Sequence, residues 1–130
     1  MSSENPRILV VDDENDILLI VRTSLKDDYD VVTAQDGPAA LDCLKEQDFD
    51  LVILDMMMPG MDGMEVLERI RADERTAKLP VIFLTGVSER TTIRKALDKG
   101  TQYYIVKPFR HHDLMNKVAQ ALHHSGTGGA

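Results

Sequence analysis

The chain has 130 residues, 43% of them apolar, and a formal net charge of −7. That length suits one domain with a single core, and the acidic balance argues against non-specific binding to nucleic acid or to an anionic membrane surface. One cysteine, Cys43, excludes an internal disulfide and points to a reducing, cytoplasmic setting; no apolar run approaches the ~20 residues of a membrane span, and the N-terminal MSSENPR lacks the apolar stretch of a secretory signal.

The predicted elements follow in chain order, framed by expected flexible tails at 1–5 and 124–130 around a domain at 6–123. The first apolar run, ILVV (8–11), is short and β-branched and reads as a strand. Ile17, Val21 and Leu25, with Ser24 beside them, then fit one helix face. VVTA (31–34) is the second strand. Asp36 precedes Gly37-Pro38, with Pro38 suited to a first helical turn, and Ala40, Leu41 and Leu44 give that helix its inner face. LVIL (51–54) is the third strand. Asp62 and Glu65 make an aspartate version of the capping box ahead of Val66, Leu67 and Ile70. VIFL (81–84) is the fourth strand. Ile93, Ala96 and Leu97 predict a fourth helix, closed by Gly100 as a C′ glycine. YYIV (103–106) is the fifth strand, and Leu114, Val118, Ala121 and Leu122 line a fifth helix whose cap falls to Asp113 or a histidine.

A β-α unit repeated in this way gives parallel strands with right-handed crossovers. Runs apolar at every position suit strands covered on both faces. The predicted fold class is α/β, a flavodoxin-like three-layer sandwich with a five-stranded parallel sheet in the order 2-1-3-4-5.

Parallel strands put their C-terminal ends on one edge of the sheet, where open α/β sheets bind ligands. Asp12 and Asp13 follow the first run, Asp55 the third, Thr85 the fourth, and Lys107-Pro108 the fifth. A single such aspartate is ordinarily a turn or cap residue, and Asp12 or Asp13 alone would pass as a cap of the first helix. Four polar strand ends on one edge are a different matter. Three crowded carboxylates raise at least one pKa, and a divalent cation relieves the repulsion. Mg²⁺ takes oxygen ligands and needs only one or two carboxylates plus a carbonyl. The pairs His111-His112 and His123-His124 do not have zinc spacing. An oxygen-rich metal site with a lysine and a hydroxyl is suited to phosphoryl chemistry. Asp55 stands alone on the central strand and is the nucleophile candidate; Asp12 and Asp13 are the metal holders.

The set of Asp12-Asp13, Asp55 within DMMMPGMDG (55–63), Thr85 and Lys107-Pro108-Phe109 resembles the receiver domain of two-component response regulators. The resemblance implies that Asp55 accepts a phosphoryl group from a histidine kinase or a phosphotransfer protein. It implies that Asp13, Asp55 and the Met57 backbone carbonyl ligate Mg²⁺ (or Mn²⁺), with Asp12 acting partly through water. Lys107 would pair with phosphoryl oxygens, Thr85 would move its hydroxyl onto them, and Tyr104 would be the switch aromatic. Tyr103, on the opposite face of its strand, would simply pack. The Lys107–Pro108 bond would be cis. The altered surface would be the fourth helix, fifth strand and fifth helix, about residues 88–122, facing a downstream protein or an output domain on a longer chain. Monomer and phosphorylation-dependent dimer both fit, with no direct contact to nucleic acid or membrane.

Departures from the family pattern carry expectations of their own. Gly86 stands where alanine is common. Met57 and Val87 are apolar at positions flanking the path of an attacking water, which predicts slow self-dephosphorylation. The methionine run also reads as loop filler. A phosphatase would need a second acid two residues past the nucleophile, and that position is Met57. The chain is thus expected to act only on its own phosphoryl group. The remaining alternative is a phosphorylation-independent protein-binding module on the same fold. A flavin site is disfavoured by the acidic turn DDENDI after the first strand.

Overall fold

The computed structural model describes residues 5–86, 94 and 103–127. Five strands form one parallel sheet: β1 (Arg7–Val11), β2 (Asp30–Ala34), β3 (Leu51–Asp55), β4 (Val81–Thr85) and β5 (Tyr103–Val106), in the order β2-β1-β3-β4-β5. Between them run α1 (Asn15–Leu25), α2 (Gly37–Glu46) and α3 (Gly63–Ala72), and a C-terminal helix, His111–Thr127, completes the described elements. The predicted α/β sandwich and strand order are those of the molecule. The expected fourth helix, with Ile93, Ala96, Leu97 and Gly100, lies outside the described residues, apart from Arg94.

Strand alternation sorts the core into two layers. Leu9, Val11, Val52, Leu54, Val81 and Phe83 face α2 and α3, where Ala40, Leu44, Val66, Leu67 and Ile70 meet them. Ile8, Val10, Leu51, Ile53, Ile82, Leu84 and Ile105 face α1 and the C-terminal helix, against Leu18, Val21, Leu25, Leu114 and Val118. β1, β3 and β4 are covered on both sides, which is why their sequences are apolar at successive positions.

The helix starts follow local chemistry. The Asp36 and Asp62 side chains accept from the backbone N–H groups of Ala39 and Glu65, at 2.8 and 3.0 Å, and cap α2 and α3. Neither Asp12 nor Asp13 caps α1. Glu14 occupies the cap position and makes no side-chain cap bond there. At the C-terminal helix, His111 is already the first helical residue and the Arg110 carbonyl accepts from Leu114 N–H. Asp113 therefore sits inside the first turn, where its charge suits the helix dipole, rather than at the cap. That helix also runs to Thr127, past the boundary expected at 123. Once a helix is nucleated, further turns follow without another nucleation cost.

Two of the three consecutive methionines are core, not loop filler: Met56 and Met58 are buried, whereas Met57 is exposed. Gly60, with φ +77°, turns the backbone between them and α3.

Candidate functional site

Register fixes which strand ends meet. Val11 pairs with Leu54, so Asp12 comes level with Asp55 on the neighbouring strand. Asp55 pairs with Leu84, and Thr85 with Val106, so Thr85 and Lys107 follow on the same edge. The edge is stitched by backbone bonds from Asp12 N–H to the Ala34 carbonyl (3.2 Å), from Met56 N–H to Leu84 (3.0 Å) and from Lys107 N–H to Thr85 (2.7 Å). Asp55 continues the Leu51–Ile53 row and Asp12 the Ile8–Val10 row, so both carboxylates lie on the α1 side of the sheet. The Lys107–Pro108 peptide bond is cis.

Asp12 is fully buried and Asp55 is 4% exposed, while Asp13 is exposed beside them. A carboxylate oxygen from each of the three falls within 4.8 Å of the others. Lys107 Nζ stands 3.1 Å from Asp12 Oδ2, 3.3 Å from Asp55 Oδ1 and 3.5 Å from Glu14 Oε2. It donates a hydrogen bond to Asp55 Oδ1. Its 3.1 Å contact with Asp12 Oδ2 is an ion pair, and that buried oxygen accepts no hydrogen bond among the described residues. Asp12 Oδ1, by contrast, accepts from Glu14 N–H at 2.9 Å.

The electrostatics follow from burial. Loss of solvent and the charge of Asp12 push the Asp55 carboxyl up to about 7, against the opposing pull of Lys107. Burial likewise raises Asp12, with the Glu14 N–H and Lys107 holding it back. Desolvation acts to lower the Lys107 ammonium, but its contacts with Asp12, then Asp55, outweigh this and hold it above its ordinary value. Among the described residues, one ammonium faces three crowded carboxylates, which leaves negative charge uncompensated there. The oxygen-only donor set and the orphaned Asp12 Oδ2 fit a hard divalent cation.

The remaining predicted residues separate by face. Thr85 is buried and continues the Val81–Phe83 row, on the opposite side of β4 from Leu84; its hydroxyl donates to the Gly86 carbonyl at 3.3 Å. Tyr104 pairs in register with Phe83 and so shares that side, at 40% exposure. Tyr103 pairs with Ile82 and packs in the other layer, next to the C-terminal helix. Met57 is 59% exposed at the rim, its N–H 3.5 Å from Asp55 Oδ1. Val87 lies outside the described residues.

Sequence reasoning missed two residues here. Glu14 joins the Lys107 cluster, and only its place after Asp12-Asp13 hinted at it. Gly63 opens α3 directly over the end of β3: its N–H donates to the Met56 carbonyl at 3.0 Å, and a Cβ there would lie 2.4 Å from the Asp55 carbonyl oxygen. The signal was a glycine at the first helical position, where an ordinary helix former would otherwise serve.

Comparison with known proteins shows the family. Residues 8–119 match the family described as response regulator receiver domain. The chain is 42% identical to chemotaxis protein CheY-3 of Vibrio cholerae serotype O1 over 118 residues, covering 89% of this chain and 91% of that protein. It is 38% identical to sensor protein GacS of Pseudomonas syringae pv. syringae, covering 91% of this chain but 14% of that protein. Among solved structures, chemotaxis protein CheY4 of Vibrio cholerae superposes with a TM-score of 0.86 at 30% identity, covering 91% of this chain and 99% of that one.

Proposed function

Since the chain belongs to the response regulator receiver domain family, we propose that it is a phosphorylation-driven signalling receiver whose phosphoacceptor is Asp55. One observation carries this reading: a nearly buried carboxylate with an ammonium 3.3 Å away and two further carboxylates within reach of one cation. Asp12, Asp13, Asp55 and the Met57 carbonyl would hold Mg²⁺ or Mn²⁺, which when bound supplies positive charge against the phosphoryl oxygens.

An Asp55 carboxylate oxygen attacks the phosphorus of a phosphohistidine on a histidine kinase or phosphotransfer protein. A P–O bond forms as the P–N bond breaks, and the imidazole nitrogen leaves with the electron pair. Lys107 pairs with the new phosphoryl oxygens. Thr85 turns its hydroxyl toward them, which vacates space on the side it shares with Tyr104. Tyr104 then leaves its half-exposed position, and the surface formed by β5 and its flanking helices changes. A downstream protein, or an output domain on a longer chain, would read that surface. The chain itself transforms no separate substrate; it promotes gain and loss of its own phosphoryl group. Its lone thiol suits the cytoplasm, and no described helix is long and apolar enough to cross a membrane.

The test is a time course. With Mg²⁺ and acetyl phosphate the protein should gain the mass of one phosphoryl group, and a chelator should abolish the gain. Once donor is removed, decay should be slow, because Met57 offers an attacking water no hydrogen bond. Met57→Asn should speed decay by roughly tenfold, the scale of one added hydrogen bond. Equal decay in both proteins would refute the role given to Met57, and a wild type that takes up no phosphoryl group would refute the reading as a whole.

A further inference from the structure

Building on the phosphoacceptor reading, we propose that Glu14 is a charge gate: by sharing the Lys107 ammonium with the aspartate pocket, it selects against free dianionic phosphodonors. Three carboxylates surround the ammonium, at 3.1 Å (Asp12), 3.3 Å (Asp55) and 3.5 Å (Glu14), and it donates a hydrogen bond to Asp55. Asp12 and Asp55 are buried, whereas the Glu14 side chain is 61% exposed. Glu14 therefore forms the solvent side of the ammonium's coordination.

The Glu14 backbone is clamped. Its N–H donates to Asp12 Oδ1, and its carbonyl accepts from Ile17 and Leu18 at 3.1 and 3.2 Å. The side chain makes no cap bond to α1, although it grows from the cap position. Its carboxylate is thus delivered to the mouth of the site by a fixed backbone, with Lys107 as its contact rather than the helix.

An incoming phosphoryl group must approach the ammonium from the solvent side, where the Glu14 carboxylate stands 3.5 Å away. The two buried aspartates have nowhere to withdraw, so Glu14 is the ligand displaced. A small free donor meets two opposing effects. Its dianion approaches a carboxylate at close range, and it must replace an ion pair already made. A docked protein donor offsets both through contacts elsewhere on the surface. Glu14 is a positioning and specificity residue in this scheme, since it acts through Lys107 and not on the reacting atoms.

The test compares two small donors of different charge at saturating Mg²⁺: acetyl phosphate, a dianion near neutral pH, and phosphoramidate, a monoanion. Glu14→Gln, a neutral variant of the same shape, should raise the ratio of the acetyl phosphate rate constant to the phosphoramidate rate constant by roughly threefold to tenfold at low salt. The gain should shrink as ionic strength rises. Glu14→Asp, which keeps the charge, should keep the wild-type ratio. A variant that merely disturbs the fold would slow both donors alike and leave the ratio unmoved. Phosphorylation of Glu14→Gln with the wild-type ratio overturns the gate while the phosphoacceptor reading stands. Failure of folded wild type to accept from either donor overturns both.

Discussion

Replacing Gly63 with alanine should destabilise the protein by about 3 kcal/mol, although alanine is the better helix former. The added methyl group would lie 2.4 Å from the Asp55 carbonyl oxygen, 2.8 Å from Met56 Cα and 2.9 Å from Phe83 Cε1. Two of these are backbone atoms at and just past the end of the strand that presents Asp55, and the third is a fully buried ring. None can swing aside as the tip of a flexible side chain would. Relief requires α3 to move off the sheet or the end of β3 to shift, and either change disturbs Asp55 and the adjacent Met57 carbonyl together. Urea denaturation measures the stability change, and Mg²⁺ titration of the folded fraction should show weakened binding. A Gly63→Ala protein with wild-type stability would mean that α3 does not press on β3 as described.

Asp55→Asn should do the reverse, stabilising the metal-free protein at pH 8 by about 2 kcal/mol. The Asp55 carboxyl titrates near 7 in the folded protein, against 3.8 for an ordinary aspartate. Between those values the folded state retains a proton that the unfolded chain has released. Unfolding free energy therefore falls as pH rises through this window, and the loss is complete above about 7. Asparagine keeps the shape and an acceptor for Lys107 but never ionises. The gap between variant and wild type should be widest at pH 8, narrow toward pH 5 and close near pH 4. Mg²⁺ should narrow it as well, by stabilising wild type more than the variant. Denaturation curves between pH 4 and 8 settle the point. A wild type whose stability holds or rises over that range, or an asparagine variant weaker than wild type at pH 8, would refute the account of Asp55 burial.

These two positions mark what was and was not legible in the sequence. Asp55 was legible because strand physics made it conspicuous. LVIL is apolar at every position, so a carboxylate at its end is both rigidly held and out of place. The same contrast exposed Asp12, Thr85 and Lys107, and the β-α alternation put all of them on one edge. Gly63 was obscured because its role depends on a helix approaching a strand, a distance that no linear spacing encodes. Glu14 was obscured because an exposed glutamate near a helix start looks like any solvated charge until Lys107 is seen to reach it. The separation of Tyr103 from Tyr104 lay between these cases. Alternation required opposite faces, but only the register of β5 against Ile82 and Phe83 says which tyrosine shares a side with Thr85.

The central claim is that Asp55 is where the phosphoryl group arrives. Intact masses of wild type and Asp55→Asn, each incubated with Mg²⁺ and acetyl phosphate, test it most directly. The prediction is one added phosphoryl group on the wild type and none on the variant, with circular dichroism showing both folded. Equal adducts on the two proteins would place the chemistry on another residue and contradict the account.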